Sequence, residues 1–169
     1  MLPSLAGILI GGMLHAQDLG DPAFAGPRYS FHPPACEFRV IFPAKPQQVG
    51  RLMSDARVTS AQLHIQSGFL RADCTPIPSH IPPLEWMLGR LHQQLIQLGG
   101  EHLAVTRIEH TTKSSFIDAM TLRGDRIYRL RIAYFMGQHS AMSLTAIDVD
   151  DQLLFSTGGR FIDSVATAQ

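Results

Sequence analysis

The sequence predicts an α+β domain in which an antiparallel sheet carries helices packed on its faces, an α/β/α sandwich. Three observations carry that reading. Apolar and polar residues alternate with period two in segment after segment. One long stretch, 83–98, instead repeats apolar residues every three or four positions. The connections between the last alternating segments are short enough to require antiparallel neighbours. The 169 residues are 45% hydrophobic and 17% charged, which is the composition of a folded domain and excludes a disordered chain.

Residues 2–14 (LPSLAGILIGGML) form an apolar run shorter than the roughly 20 residues that a membrane-spanning helix needs. Ala16 follows as a small residue suited to a cleavage site, so 1–16 reads as a signal peptide. A short buried N-terminal helix is the other reading, because the segment lacks Lys and Arg and Leu14 is bulky where a small side chain is favoured. No lipid-anchoring cysteine follows the run. Residues 17–28, rich in Gly, Pro and Ala, read as a flexible linker, and 29–169 as a single globular domain. The expected location is periplasmic or secreted, with no stable membrane span in the mature form.

Residues 29–32 alternate, and 36–42 alternate again with Cys36, Phe38 and Val40 on one face. Pro43 and Pro46 end that strand, since proline cannot donate to a ladder. From Thr59 the alternation resumes, with Ala61, Leu63 and Ile65 inward and Gln62 and His64 outward; Ser67-Gly68 then turns the chain into 69–74, completing a hairpin. Pro76, Pro78, Pro82 and Pro83 break the chain, and a proline in a first helical turn is well placed because its missing N–H has no partner there anyway. Leu84, Leu88, Leu91, Leu95 and Leu98 form the stripe of the helix, and Gly99-Gly100 stops it. That stripe is expected to lie across the sheet and fill the space beneath with hydrocarbon, leaving no reaction chamber. Four strands follow, 103–110, 115–122, 127–135 and 140–149, joined as a meander through Gly124-Asp125 and Gly137-Gln138. Phe161, Ile162 and Val165 define one side of a short docked helix at the end.

Cys36 and Cys74 each sit beside a strand. They either pair as a disulfide in an oxidising compartment or remain two separate buried thiols. With 14 basic and 14 acidic residues the chain offers no electrostatic case for nucleic acid.

Of the eight histidines, His64, His80, His92, His102, His110 and His139 fall in the globular part, beside Glu101 and Glu109, but without metal-ligand spacing. Asp148, Asp150 and Asp151 offer oxygen ligands without a calcium-loop pattern, and read as a strand end followed by a cap or turn. Arg123-Gly124-Asp125 copies an adhesion tripeptide but is also what a tight hairpin selects. No Gly-x-Ser-x-Gly elbow, phosphate loop or dinucleotide fingerprint occurs. No catalytic residue, metal ligand or cofactor is therefore assigned. Trp86, one position off the leucine stripe, is the candidate partner-binding residue, at the edge of the helix–sheet contact.

The string Cys36-Glu37-Phe38-Arg39-Val40-Ile41-Phe42-Pro43-Ala44-Lys45-Pro46 resembles the opening strand of small secreted bacterial proteins of the PsbP/Mog1-like type, in which an aromatic-rich strand runs into a Phe-Pro-x-x-Pro corner. Arg160-Phe161-Ile162-Asp163-Ser164-Val165 resembles their last helix, and the order of elements fits over residues 29–166. The resemblance implies an antiparallel sheet covered by helices on both sides, with binding or assembly more usual than catalysis. Fold analogy alone supplies no function. The expectation is an exported non-catalytic protein that binds or assembles with another envelope or extracellular protein. The alternative is a metal-dependent enzyme or small-molecule binder using His and Asp side chains gathered by folding.

Overall fold

Six of the alternating segments, with one further strand, join into one antiparallel sheet. The computed structural model describes residues 26–53, 56–66, 68–99, 102–149 and 154–168. The expected signal peptide (1–16), most of the linker (17–28), Glu101, Asp150 and Asp151 lie outside the described residues. The strands are β1 (Tyr29–Phe31), β2 (Phe38–Phe42), β3 (Gln47–Met53), β4 (Ala56–Ile65), β5 (Gly68–Pro76), β6 (Leu103–His110), β7 (Ser114–Arg123), β8 (Arg126–Met136), β9 (Ser140–Asp148) and β10 (Ala166–Thr167). The main sheet runs β3-β4-β5-β9-β8-β7-β6, so the expected hairpin, β4–β5, and the meander, β6 to β9, are present. Its edge strand β3 has no counterpart in the sequence reading. The segment Gln47–Met53 contains Gly50 and does not alternate; its register against β4, from Gln47 opposite Gln62 to Met53 opposite Ala56, makes it a strand.

One face of the sheet carries helix α1 (Pro83–Gly99). Ile117 opposite Ile132 and Ala119 opposite Leu130, across β7 and β8, pack together with Tyr134 against Trp86, Met87 and Leu91 of α1. The leucine stripe is rotated from its expected position: Leu84 and Leu88 stand 54% and 44% exposed, whereas Met87 is fully buried. Helical spacing from Met87 to Leu91 and Leu98 defines the face that meets the sheet, and Leu84 and Leu88 fall on its flank.

The other face corrects the α/β/α expectation. Among the described residues no second helical layer covers it. Instead β1, β2 and β10 form a separate three-stranded sheet in the order β1-β2-β10. A π-helical turn (Leu154–Gly158) and the five-residue α2 (Gly159–Asp163) complete this cover. The physical reason lies in β2: Phe38, Val40 and Phe42 alternate on one face and bury against Leu70, Ala72, Met142, Leu144 and Phe161. An apolar strand face does there what a helix was expected to do, and α2 contributes mainly Phe161 and Ile162.

Two devices hold the small sheet down. Cys36 and Cys74 are joined as a disulfide across a Cα–Cα distance of 6.2 Å, which links the start of β2 to β5. Ala35, at φ 63°, takes the left-handed conformation in the turn where Cys36 N–H donates to the Pro33 carbonyl, directing Cys36 onto the sheet. The neighbouring Glu37 carboxylate accepts the backbone N–H groups of Gln138, His139 and Ser140 at 2.9, 2.7 and 2.7 Å. It thereby clasps the β8–β9 turn. The fit is close, since a Cβ at Gly137 would lie 2.2 Å from the Glu37 Oε2.

Burial would raise the Glu37 carboxyl, but the N–H donors of His139, Gln138 and Ser140 and the Ser140 hydroxyl outweigh it and hold the group below its ordinary 4.5. A depressed folded-state value means that the stabilisation is complete above the ordinary value and is lost as pH falls through the lower one. Glu37→Gln is expected to cost about 1 to 2 kcal/mol at neutral pH, reduced from the charge-assisted maximum by solvent. The difference from the parent should vanish in acid, as read by denaturant unfolding at a series of pH values.

Candidate functional site

Beneath part of α1, over β5 and β9, the sheet is polar where the sequence reading expected hydrocarbon. β5 alternates Leu70, Ala72 and Cys74 toward the small sheet, and Arg71, Asp73 and Thr75 toward the helix. β9 does the same with Met142 and Leu144 against Ser143 and Thr145. The result is a cleft of about 70 Å³ between α1 and strands β4, β5, β8 and β9, lined also by Trp86, Arg90, Gln94 and Tyr134, with Gln93 and Gln97 on its outer side. This overturns the expectation of a wholly apolar helix–sheet contact.

Gln94 is the hub. Its Nε2 donates to Thr145 Oγ1, and its Oε1 accepts from Ser143 Oγ at 3.0 Å and from the Tyr134 hydroxyl. Asp73 Oδ1 accepts from the Ser60 hydroxyl and from Arg71 Nε and Nη2, each nitrogen at 2.9 Å. The Arg90 guanidinium lies over the Trp86 ring, 5.7 Å from its centroid.

Burial first, and the Asp73 charge in addition, push the Tyr134 hydroxyl up to about 12, against the opposing effects of Ser143, Arg90 and Arg71. Tyr134 is therefore a hydrogen-bond donor at neutral pH and not a base. Gln94→Leu is expected to cost about 2 to 3 kcal/mol, because the Tyr134, Ser143 and Thr145 hydroxyls lose one shared partner in a water-poor setting. A shift in the denaturant midpoint at constant slope would measure it.

A second groove, of about 210 Å³, lies on the opposite face between β6, β7 and α2. Four of its charges pair with one another: Arg131 grips Asp118 through Nε–Oδ1 at 2.8 Å and Nη2–Oδ2 at 3.2 Å, and Arg107 pairs with Glu109, while Asp163 lines the groove from α2.

Trp86 is 9% exposed, packed in the helix–sheet core with one side on the cleft. Among the described residues the histidines form no cluster that could hold a metal. His64 bonds to Gln62, and His110 Nδ1 meets the Ser115 hydroxyl at 2.7 Å. Ser115 is fully buried, so that pair presents no accessible nucleophile. Among the described residues no three His, Cys, Asp or Glu side chains gather to hold a metal. Asp148 is fully buried at the end of β9.

Arg123-Gly124-Asp125 forms the β7–β8 turn, with Gly124 at φ 62°. Arg123 lies over Tyr128 and donates to the Leu98 carbonyl, which ties the hairpin to the end of α1. Sequence reasoning missed Gln94, Tyr134 and the polar side of β5, although the alternation Leu70-Arg71-Ala72-Asp73-Cys74-Thr75 displays that side openly. It also missed the Glu37 clasp, which joins residues more than a hundred positions apart.

The architecture is a mostly antiparallel sheet with few helices, a PsbP-like fold. The solution structure of cyanobacterial PsbP from Synechocystis sp. PCC 6803 is similar to it, with a TM-score of 0.62 at 11% identity, over 89% of this chain and 99% of that one. A Pseudomonas aeruginosa protein of unknown function is also similar, with a TM-score of 0.48 at 11% identity, over 85% of this chain and 99% of that one. No family model and no curated protein matches the sequence. Among the described residues no helix is long and apolar enough to cross a membrane.

Proposed function

We propose that the chain is an exported, non-catalytic binding protein that receives one side chain of a protein partner in the cleft beside α1. The cleft's dimensions and lining carry this reading. At about 70 Å³ it is far smaller than the roughly 300 to 1,000 Å³ of pockets that enclose a small molecule. It suits a single inserted side chain, the kind of anchor on which interfaces depend.

The lining also selects what enters. A guanidinium has five N–H donors, and Asp73 Oδ1 engages Arg71 through only two of its nitrogens, Nε and Nη2. Trp86 and Leu98 supply apolar wall. The partner side chain is accordingly one with a terminal acceptor, a carboxylate or amide, on a short apolar stem. Tyr134 stays protonated and Asp73 is engaged by Arg71 and Ser60, so both offer the cleft hydrogen-bonding groups that suit recognition. Export is supported by the Cys36–Cys74 disulfide, a bond that persists in oxidising compartments, and by the apolar run 2–14.

Plugging the cleft from its rim tests the proposal without touching the buried network. Gln93→Trp and Gln97→Trp alter exposed positions of α1. Protein captured from the extracytoplasmic fraction by the parent should be lost with both variants. Identical captures by parent and variants, or none by the parent, overturn the reading.

A further inference from the structure

We infer that two copies of this chain associate by pairing β6 with β6 of the second copy, antiparallel and centred on Ile108, to extend the sheet across a two-fold axis. β6 ends the seven-stranded sheet, and no described residue pairs with its outer side. The strand is exposed from Ala104 to His110, including two apolar side chains, Val105 at 42% and Ile108 at 52%. An open edge of this kind is a template for another strand.

Charge identifies the occupant. Arg107 and Glu109 project to one face of the sheet, with side chains 59% and 54% exposed, on either side of Ile108. Two antiparallel strands related by a two-fold axis through the sheet place opposite one another residues whose numbers have a constant sum, and residues directly opposite share a face. Centring on Ile108 sets Arg107 against Glu109 of the second copy and Glu109 against its Arg107. The ion pair already formed within each strand becomes an alternating four-charge cluster.

On the helix-side face the same register brings the two Ile108 side chains together. Opposite charges two apart about a central apolar residue are self-complementary, whereas edge protection by charge uses an uncompensated one. The irregularity between Val105 and Arg107 lies before this stretch, and Arg107–His110 runs in regular register against β7. The second copy therefore meets an undistorted edge.

Charge exchange provides the test. The parent chain should sediment and scatter light at twice its chain mass at micromolar concentration. Arg107→Glu and Glu109→Arg should each reduce this to the single-chain mass, because each sets like charges opposite across the axis. An equimolar mixture of the two variants should recover the doubled mass, since one then carries two acidic and the other two basic groups; R107E/E109R in one chain should recover it too. A parent of single-chain mass overturns the inference, as does a dimer unaffected by either exchange. Failure of the mixture to recover the doubled mass also overturns it.

Discussion

Replacing both Cys36 and Cys74 by serine is expected to lower the unfolding free energy by roughly 4 kcal/mol, the chain-entropy value for a closed loop of this length. The bridged residues are 38 apart in sequence. The loop contains β2, β3, β4 and most of β5, so its closure restricts the unfolded chain over almost a quarter of its length. For a chain of this size the loss corresponds to a fall in melting temperature of about 10 °C. In the folded state, the link holds the start of β2 on the sheet beside the Glu37 clasp. Thermal unfolding of the serine pair beside the oxidised parent measures the effect. A change below about 1 kcal/mol would mean that the bridge restrains an already compact unfolded state.

Phe42→Ala is the second large effect, with an expected loss of about 3 to 5 kcal/mol. Phe42 is fully buried between Phe31, at 6.3 Å and nearly perpendicular, and Phe161, at 4.8 Å. It is the residue through which β1, β2 and α2 meet. Removing the ring leaves a cavity that the surrounding side chains fill incompletely, and it also removes two aromatic contacts. Phe161→Ala, alone and combined with Phe42→Ala, should show a coupling energy of about 0.5 to 1.5 kcal/mol. Additive losses would contradict the direct packing of these rings. Because this cluster and the disulfide fix the same layer, each variant should also speed amide exchange in β1 and β2 before it affects β7 and β8.

Most of the sheet was legible because alternation is a local signal. β7, β8 and β9 fall within a residue or two of their expected bounds, and the positive-φ Gly124 marks their first turn. β3 was not legible, because its pattern is not its own: hydrogen bonding to β4 makes Gln47–Met53 a strand. The helix was legible in extent and not in rotation. Leucines at five positions outline a stripe, but Met87, Leu91 and Trp86 find the sheet while Leu84 and Leu88 face water. The second face was misassigned because Phe38, Val40 and Phe42 announce a buried strand without saying what it buries against.

The cleft was hidden for a related reason. Arg71, Asp73 and Thr75 read as the outward side of a hairpin when viewed one strand at a time. Only the placement of α1 over them, with Gln94 joining Tyr134, Ser143 and Thr145, turns a solvent face into an enclosed polar seam. Trp86 stood out in the sequence as an interface candidate, and it lies on the wall of that seam, largely buried.

Site-directed photocrosslinking from the cleft rim tests the partner-binding account most directly. A photoreactive side chain at Gln97, exposed beside the cleft, is compared with one at Lys45, exposed between β2 and β3 and remote from both the cleft and β6. The account predicts a discrete protein adduct from position 97 in the intact cell envelope, absent from position 45 and lost when Gln93→Trp blocks the opening. An adduct from position 45 alone, or one from position 97 that persists with the cleft plugged, would contradict it.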